Sequence, residues 1–291
     1  MSDDHGNQDP TWRAILGKPV NASPLPSIVE VDVGARSDCG KVQAHNTDHY
    51  LAIRLGRVQQ TMATSLAAAD LPEDFEEYGY ALLVADGLGE QSAGIRASRV
   101  ALSAIAHLAI QFGRWNVRGS DSPADTIEQG ELFYRRANDA VLEASRSDER
   151  LAGMATSMTA VYIAGIDLFF AHVGHAKAFL FRDGALIRLT TDDLMGQPET
   201  LGSRVGGPKV EIEHIRLWSG DRVLLATNGL TDALSEDQIA DTVALRRRPN
   251  DDCQRLIDQV LAAGGPDNVT VLLADYRIRA TSTSVETVWP V

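Results

Sequence analysis

The 291-residue sequence predicts an α+β fold, an antiparallel β-sandwich flanked by helix pairs in four layers, α/β/β/α. Three observations predict it. Between Ser157 and Thr190, short apolar runs follow one another with only turn-sized gaps, which suits an antiparallel meander and leaves no room for βαβ crossovers. Two regions of helical periodicity interrupt the strands, one central and one near the C-terminus. No internal repeat or low-complexity linker divides the chain, so one domain over residues 27–277 is the economical reading.

Taken in order, residues 1–26 are polar and contain Pro10, Pro19, Pro24 and Pro26, and are expected to form a flexible N-terminal arm. Ile28–Val33 alternates with period two and reads as a strand, and Tyr50–Leu55 as the next. A short helix is expected over Val58–Ala69, followed by an acidic loop at Pro72–Glu77. Tyr78–Ala85 is an apolar strand expected to stop at Asp86-Gly87. Ala93–Phe112 and Ala124–Ser145 read as helices, the second capped near Asp121 or Ser122. The meander comprises Ser157–Ala164, Leu168–Val173, Lys177–Phe181 and Ala185–Leu189. After a linking segment, Asp192–Pro208, come strands Lys209–Leu217 and Arg222–Ala226, helices Ser235–Val243 and Asp252–Ala263, and a last strand Val269–Tyr276. Residues 278–291 are expected to be a polar tail.

Composition narrows the function. Hydrophobic residues make up 44% and charged residues 23%, ordinary for a domain with a sizeable core. The net charge of −13 repels phosphate backbones and anionic lipid surfaces, so neither nucleic acid nor membrane is an expected partner. Cys39 and Cys253 are isolated from each other and from any CxxC pair, which fits a reducing cytoplasm. The N-terminus lacks the basic and apolar regions of a signal peptide, and no apolar run of bilayer-spanning length is evident in the sequence. A monomer is expected.

The residues that bear on chemistry are short acidic or amide side chains beside glycine at strand ends. Asp86-Gly87 closes Leu82–Ala85, Asn228-Gly229 closes Val223–Thr227, and Asp267-Asn268 opens Val269–Leu273. Strand ends can bring carboxylates together, and hard divalent cations such as Mg²⁺ or Mn²⁺ take oxygen ligands. A glycine beside such a residue lets a backbone carbonyl reach the ion as well. Asp-Gly is also a common turn dipeptide, so the joint order of these motifs carries the argument.

That order resembles the PPM-type (type 2C) metal-dependent protein serine/threonine phosphatases from about Glu30 to Tyr276. The opening motif is Ser37–Asp48, the second Val84–Gly89 followed by Gly94 and Ala97-Ser98, and the third Gly153–Ser157. A long block from Ala171 to Gly184 ends at Leu189-Thr190, and Asp221–Asp232 and Gly265–Val271 complete the set. The resemblance implies a β-sandwich with a metal centre at one end, where water activated by one or two Mn²⁺ or Mg²⁺ ions attacks phosphoserine or phosphothreonine directly. It implies Asp86, the carbonyl of Gly87 and Asp267 as metal and catalytic positions. The substrate it implies is a phosphoprotein, a protein kinase or a kinase substrate.

The chain departs from the family pattern at several positions. Thr47 stands where an acidic ligand is usual, Asn228 where the ligand aspartate of the fifth motif is usual, and Gln43 where an arginine usually grips phosphate. His175 replaces an aspartate that serves an extra metal in bacterial members. Of four family carboxylates the chain keeps Asp86 and Asp267. Each lost ligand charge lowers cation affinity, and glutamine cannot reproduce a guanidinium fork. Asp48 and His49 are the nearest candidates to compensate, Asn228 can still offer an amide oxygen, and His175 could ligate a softer ion. The sequence therefore supports a working phosphatase of reduced activity, with a catalytically impaired pseudophosphatase that binds phosphoproteins or a kinase as the alternative. A switch phosphatase of the anti-sigma-factor type is a third reading that no residue singles out.

Overall fold

The computed structural model describes residues 29–67, 75–89, 91–112, 123–191 and 199–278. The expected N-terminal arm, the cap at Asp121 or Ser122 and nearly all of the polar tail lie outside these residues. So do parts of the acidic loop and of the Asp192–Pro208 segment.

The strands are β1 (Val29–Asp38), β2 (His49–Gln59), β3 (Phe75–Leu88), β4 (Ala155–Ala164), β5 (Asp167–Val173), β6 (Lys177–Arg182), β7 (Ala185–Arg188), β8 (Glu211–Arg216), β9 (Arg222–Ala226) and β10 (Val269–Ile278). Helices α1 (Gln91–Phe112) and α2 (Pro123–Ser147) fall between β3 and β4, and a single 3₁₀ turn (Glu149–Leu151) follows them. Helices α3 (Asn228–Thr231), α4 (Glu236–Ala244) and α5 (Pro249–Ala262) lie between β9 and β10. One sheet has the order β1-β10-β9-β6-β7 and the other β2-β3-β4-β5-β8, with every strand pair antiparallel.

Period-two alternation assigns each side chain of β3 to a layer. Leu82 and Val84 join Ile163, Phe170, Leu180, Val223, Leu225, Leu272 and Tyr276 in the core between the sheets. Leu83 and Ala85 turn the other way, against Ala93, Ala97 and Ala101 of α1 and Tyr134, Ala137 and Val141 of α2. A third core lies under the C-terminal helices, where Ile239, Val243, Leu256, Ile257 and Val260 cover Leu224, Val271 and Leu273. These three apolar layers are the four-layer sandwich that the sequence predicts.

Helix α1 contains a segment, Ser92–Gln111, long and apolar enough by composition to cross a membrane, contrary to the sequence-based expectation. Its apolarity is used internally. Ala93, Ala97 and Ala101 recur four residues apart, are at most 1% exposed, and let the helix approach the sheet closely.

Four expectations are corrected. No helix follows Val58 within the described residues; β2 runs to Gln59 and 60–67 is irregular. The apolar positions there were too few to sustain a helical stripe against the pairing of β2 with β3. Strand β3 does not stop at Asp86 but carries Asp86 and Gly87 in register with Ser157 and Thr156. The four-strand meander is two hairpins in different sheets, because the turn between β5 and β6 passes the chain from one sheet to the other. Asn228-Gly229 opens the short helix α3 and is no simple turn.

Arg222 is wholly buried and ties its sheet to the C-terminal helices. It pairs with Asp252 of α5 at 2.7 Å and with Asp275 of β10, and it donates to the carbonyls of Val243 and Arg247. A buried guanidinium with two carboxylates and two carbonyls has its donors met inside the chain.

Candidate metal centre

Asp86 has the same parity along β3 as Leu82 and Val84, so its carboxylate emerges between the sheets where the apolar core ends. Asp48, immediately before β2, enters the same space and is only 5% exposed. Thr227 Oγ1 donates to Asp48 Oδ2 at 2.6 Å and accepts from Thr270 N at 2.9 Å, tying the carboxyl to the opposite sheet. The Asp48 and Asp86 carboxyls lie close enough for each to alter the other's ionisation. Asp267, just before β10, accepts from Asn268 N at 2.8 Å and from Gln43 Nε2 at 3.2 Å on the same oxygen.

Two neighbouring carboxyls out of water resist ionising together. Burial first, and then the Asp86 charge, push Asp48 up to about 8, against the hydrogen bonds from Thr227 and Thr270. Burial and then the Asp267 charge push Asp86 up to about 6, opposed by its hydrogen bond with Asp48 and by His175. Asp232 also raises Asp86, which places this carboxylate, at the C-terminal cap of α3, within electrostatic reach of the centre.

The second motif is packed without slack. A Cβ on Gly87 would collide with the carbonyl of Gly94, and one on Gly94 would lie 2.8 Å from the Gly87 oxygen and 3.2 Å from the Thr47 methyl. Both positions therefore exclude any side chain, which holds the start of α1 against the Asp86 strand. Thr156 Oγ1 donates to the Asp86 carbonyl at 2.7 Å and fixes it from β4. The opening loop is clasped by Asn268: its Oδ1 accepts from Thr47 N and Oγ1 at 2.8 and 3.0 Å, and its Nδ2 donates to the carbonyls of Cys39 and His45 at 2.8 and 3.0 Å. Ser98 Oγ holds the other side, donating to the Thr47 carbonyl at 2.7 Å.

The candidate residues separate as follows. Asp48, Asp86 and Asp267 converge, with Gly87 behind Asp86 and Gln43 on Asp267. His175, in the turn that changes sheets, is exposed at the rim and its charge bears on Asp86. Asn228 spends its Nδ2 on Asp232 at 3.1 Å, which leaves its amide oxygen as a donor atom for a cation. Two candidates are not brought in. Thr47 directs its hydroxyl to Asn268. His49 follows Asp48 by one residue, so its ring turns to the outer face of the sheet, where Nδ1 meets Ser98 Oγ at 2.9 Å.

Sequence reading missed Asp232, Thr227, Thr270 and Asn268 as parts of the centre. Asp232 had a signal, since it lies four residues after Asn228 and one helical turn brings them together. The two threonines carried none, because they meet Asp48 only when the sheets pack.

The donor set fits a hard divalent cation, Mn²⁺ or Mg²⁺. It consists of oxygen atoms, and the strongest charges bearing on Asp48 and Asp86 are other aspartates and His175, with no lysine or arginine among them. Among the described residues no ready cluster of three or more His, Cys, Asp or Glu side chains is closed around a single point, so ligation requires the carboxyls to draw in.

A family model described as Stage II sporulation protein E (SpoIIE) matches residues 76–277. The serine/threonine protein phosphatase PstP of Mycobacterium tuberculosis is 31% identical over 263 residues, covering 83% of this chain and 44% of PstP. The chain thus spans less than half the length of that relative. Protein phosphatase PhpP of Streptococcus pneumoniae is 26% identical over 267 residues, covering 84% of this chain and 96% of PhpP. Among solved structures, the PstP catalytic domain in complex with two manganese ions matches with a TM-score of 0.65 at 27% identity, covering 86% of this chain and 100% of that domain. With the motif order and the two five-stranded sheets, these matches show that the chain belongs to the SpoIIE family, within the PPM-type protein serine/threonine phosphatases.

Proposed function

We propose that this chain is a Mn²⁺- or Mg²⁺-dependent phosphatase that hydrolyses phosphoserine or phosphothreonine in proteins. The observation that carries this reading is the Asp48–Asp86 pair, both raised in pKa by burial and then by neighbouring carboxylates, with Asp267 beside them and no lysine or arginine among the charges that bear on the pair. A bound divalent cation would supply that balance, polarise the phosphoryl group and lower the pKa of a nearby water. Asp86 and Asp267 hold the cation position from two different sheets. Asp48, tied to Thr227, fixes the orientation of Asp86. Asn228 adds a neutral oxygen, and Gln43 offers amide hydrogen bonds where the family has a guanidinium, which predicts weaker phosphate binding and reduced turnover.

The relatives named phosphatases support this reading over the pseudophosphatase, and so does retention of the two strand-end carboxylates. We place the substrate among phosphoproteins, a kinase or its target, and the protein in the cytoplasm, in keeping with the unpaired Cys39 and Cys253. The test is hydrolysis of p-nitrophenyl phosphate and of a phosphothreonine peptide as Mn²⁺ is titrated into metal-free protein, with ion stoichiometry measured by calorimetry. Turnover rising with bound metal is expected. Absence of turnover from folded protein at millimolar Mn²⁺ overturns the reading.

A further inference from the structure

We propose that the trough between helices α1 and α2, lined by Arg96 and Arg99, binds an anionic residue of the phosphoprotein substrate that lies a few positions from the phosphate being hydrolysed. This rests on the phosphatase reading and extends it to substrate choice. An open hollow of about 590 Å³ is walled by Ser92, Ile95, Arg96 and Arg99 on one side and by Ser147, Asp148 and Leu151 on the other. A second hollow of about 350 Å³ continues along α1 past Arg96, Arg99 and Ser103 to His107. The two share both arginines and so form one trough.

Its charge is unusual for this molecule. The chain carries −13 overall, yet both side chains projecting here at helical spacing are exposed guanidinium groups with no ion pair to another described residue. The one acid in the wall, Asp148, is engaged by Arg150 at 2.7 Å. Arginine forks match phosphate and carboxylate oxygens in a bidentate fashion, so the trough suits a second phosphorylated residue or a glutamate or aspartate.

Its position fits such a role. Gly94 of α1 packs on Gly87, next to Asp86, and Arg99 lies five residues further along the helix. At about 1.5 Å per residue that is roughly 8 Å along the helix axis from Gly94, and because both arginines stand on the exposed face of α1, a helix width of about 10 Å adds to the path from the metal centre. An extended peptide covers that path in about four to six residues at ~3.3 Å each.

The test compares phosphothreonine peptides that carry phosphothreonine, glutamate or alanine at four to six positions on either side. Wild type is compared with the R96Q/R99Q double variant, with p-nitrophenyl phosphate as a control lacking any flanking residue. Wild type should favour a flanking anion over alanine by about tenfold in kcat/KM, through KM, and the double variant should lose that preference while its p-nitrophenyl phosphate turnover is unchanged. Phosphothreonine against glutamate shows which anion the trough prefers. A wild type indifferent to the flanking residue, or a preference that survives in the double variant, overturns the proposal. If wild type hydrolyses nothing, the phosphatase reading fails separately. Fluorescence anisotropy of the same labelled peptides then decides the trough by the same two criteria, as binding in place of turnover.

Discussion

Two clusters of buried charge sit at different places in this sandwich, and they are built on opposite plans. Around Arg222, one guanidinium meets Asp252 and Asp275 and two carbonyls, and the chain completes its own electrostatics. Around Asp86, the neighbours are Asp48, Asp267 and Asp232, carboxylates whose charges add, with exposed His175 opposing them only from the rim. Arg222 opens β9 and is locked by Asp252 of α5. The aspartates occupy the positions before or at the ends of strands β2, β3 and β10. Leaving a buried charge unmatched costs several kcal/mol. A site kept in that condition is one whose balance comes from outside the chain, as a cation does.

The comparison can be broken at either cluster. Removing the acid at the centre of the metal site should have the largest effect: Asp86→Ala is expected to lower Mn²⁺-dependent turnover by about 10³-fold or more while leaving the fold intact by circular dichroism. Retained activity would mean a different site. At the other cluster, Arg222→Met leaves Asp252 and Asp275 without their partner and should cost about 3–5 kcal/mol in urea unfolding. A small loss there would show that the Arg222 network is not the self-completed structure described above.

The pH dependence of metal-free protein distinguishes the clusters more finely. Asp48 is at about 8 when folded against an ordinary 3.8, so the folded state keeps a proton that the unfolded chain has already released. Its contribution is fully present below about 4 and is lost as pH rises towards about 8, so stability should fall across that window. The loss should be at most about 5 kcal/mol, seen as a falling Tm, and Asp48→Asn should flatten it. Saturating Mn²⁺ should reverse the slope, because the cation favours the ionised carboxyls. A metal-free Tm that rises with pH would contradict the like-charge account.

Restoring one charge should have the smallest effect. Asn228→Asp adds an acid where the amide now stands beside Asp232, and about a tenfold gain in Mn²⁺ affinity is expected by calorimetry. Unchanged affinity would show that Asn228 does not face the cation.

Much of this was legible in the sequence because it depends on local pattern. Alternation marked the strands, spacing in α1 and α2 marked the helices, and glycine-flanked acids marked the ends of β3 and β10. Where local pattern was weak the reading failed: Val58–Gln59 continues β2 through its pairing with Glu76 and Phe75, a partner distant in sequence. The allocation of β6 to the sheet opposite β5 was likewise invisible, since both hairpins look alike until the Gly174–Ala176 turn is seen to change layers.

The metal centre divides along the same line. Local pattern was enough to put Asp86, Gly87 and Asp267 near strand ends and to mark Gln43, Thr47 and Asn228 as departures that weaken the family pattern. Only the tertiary structure decided that Asp48 belongs with Asp86 while adjacent His49 does not, that Thr47 serves Asn268, and that Asp232 bears on the site. The physical reason is that a residue's type and its place on a strand are set by its neighbours in the chain. The sign and strength of the field it sits in are set by what the opposite sheet and the covering helices bring against it.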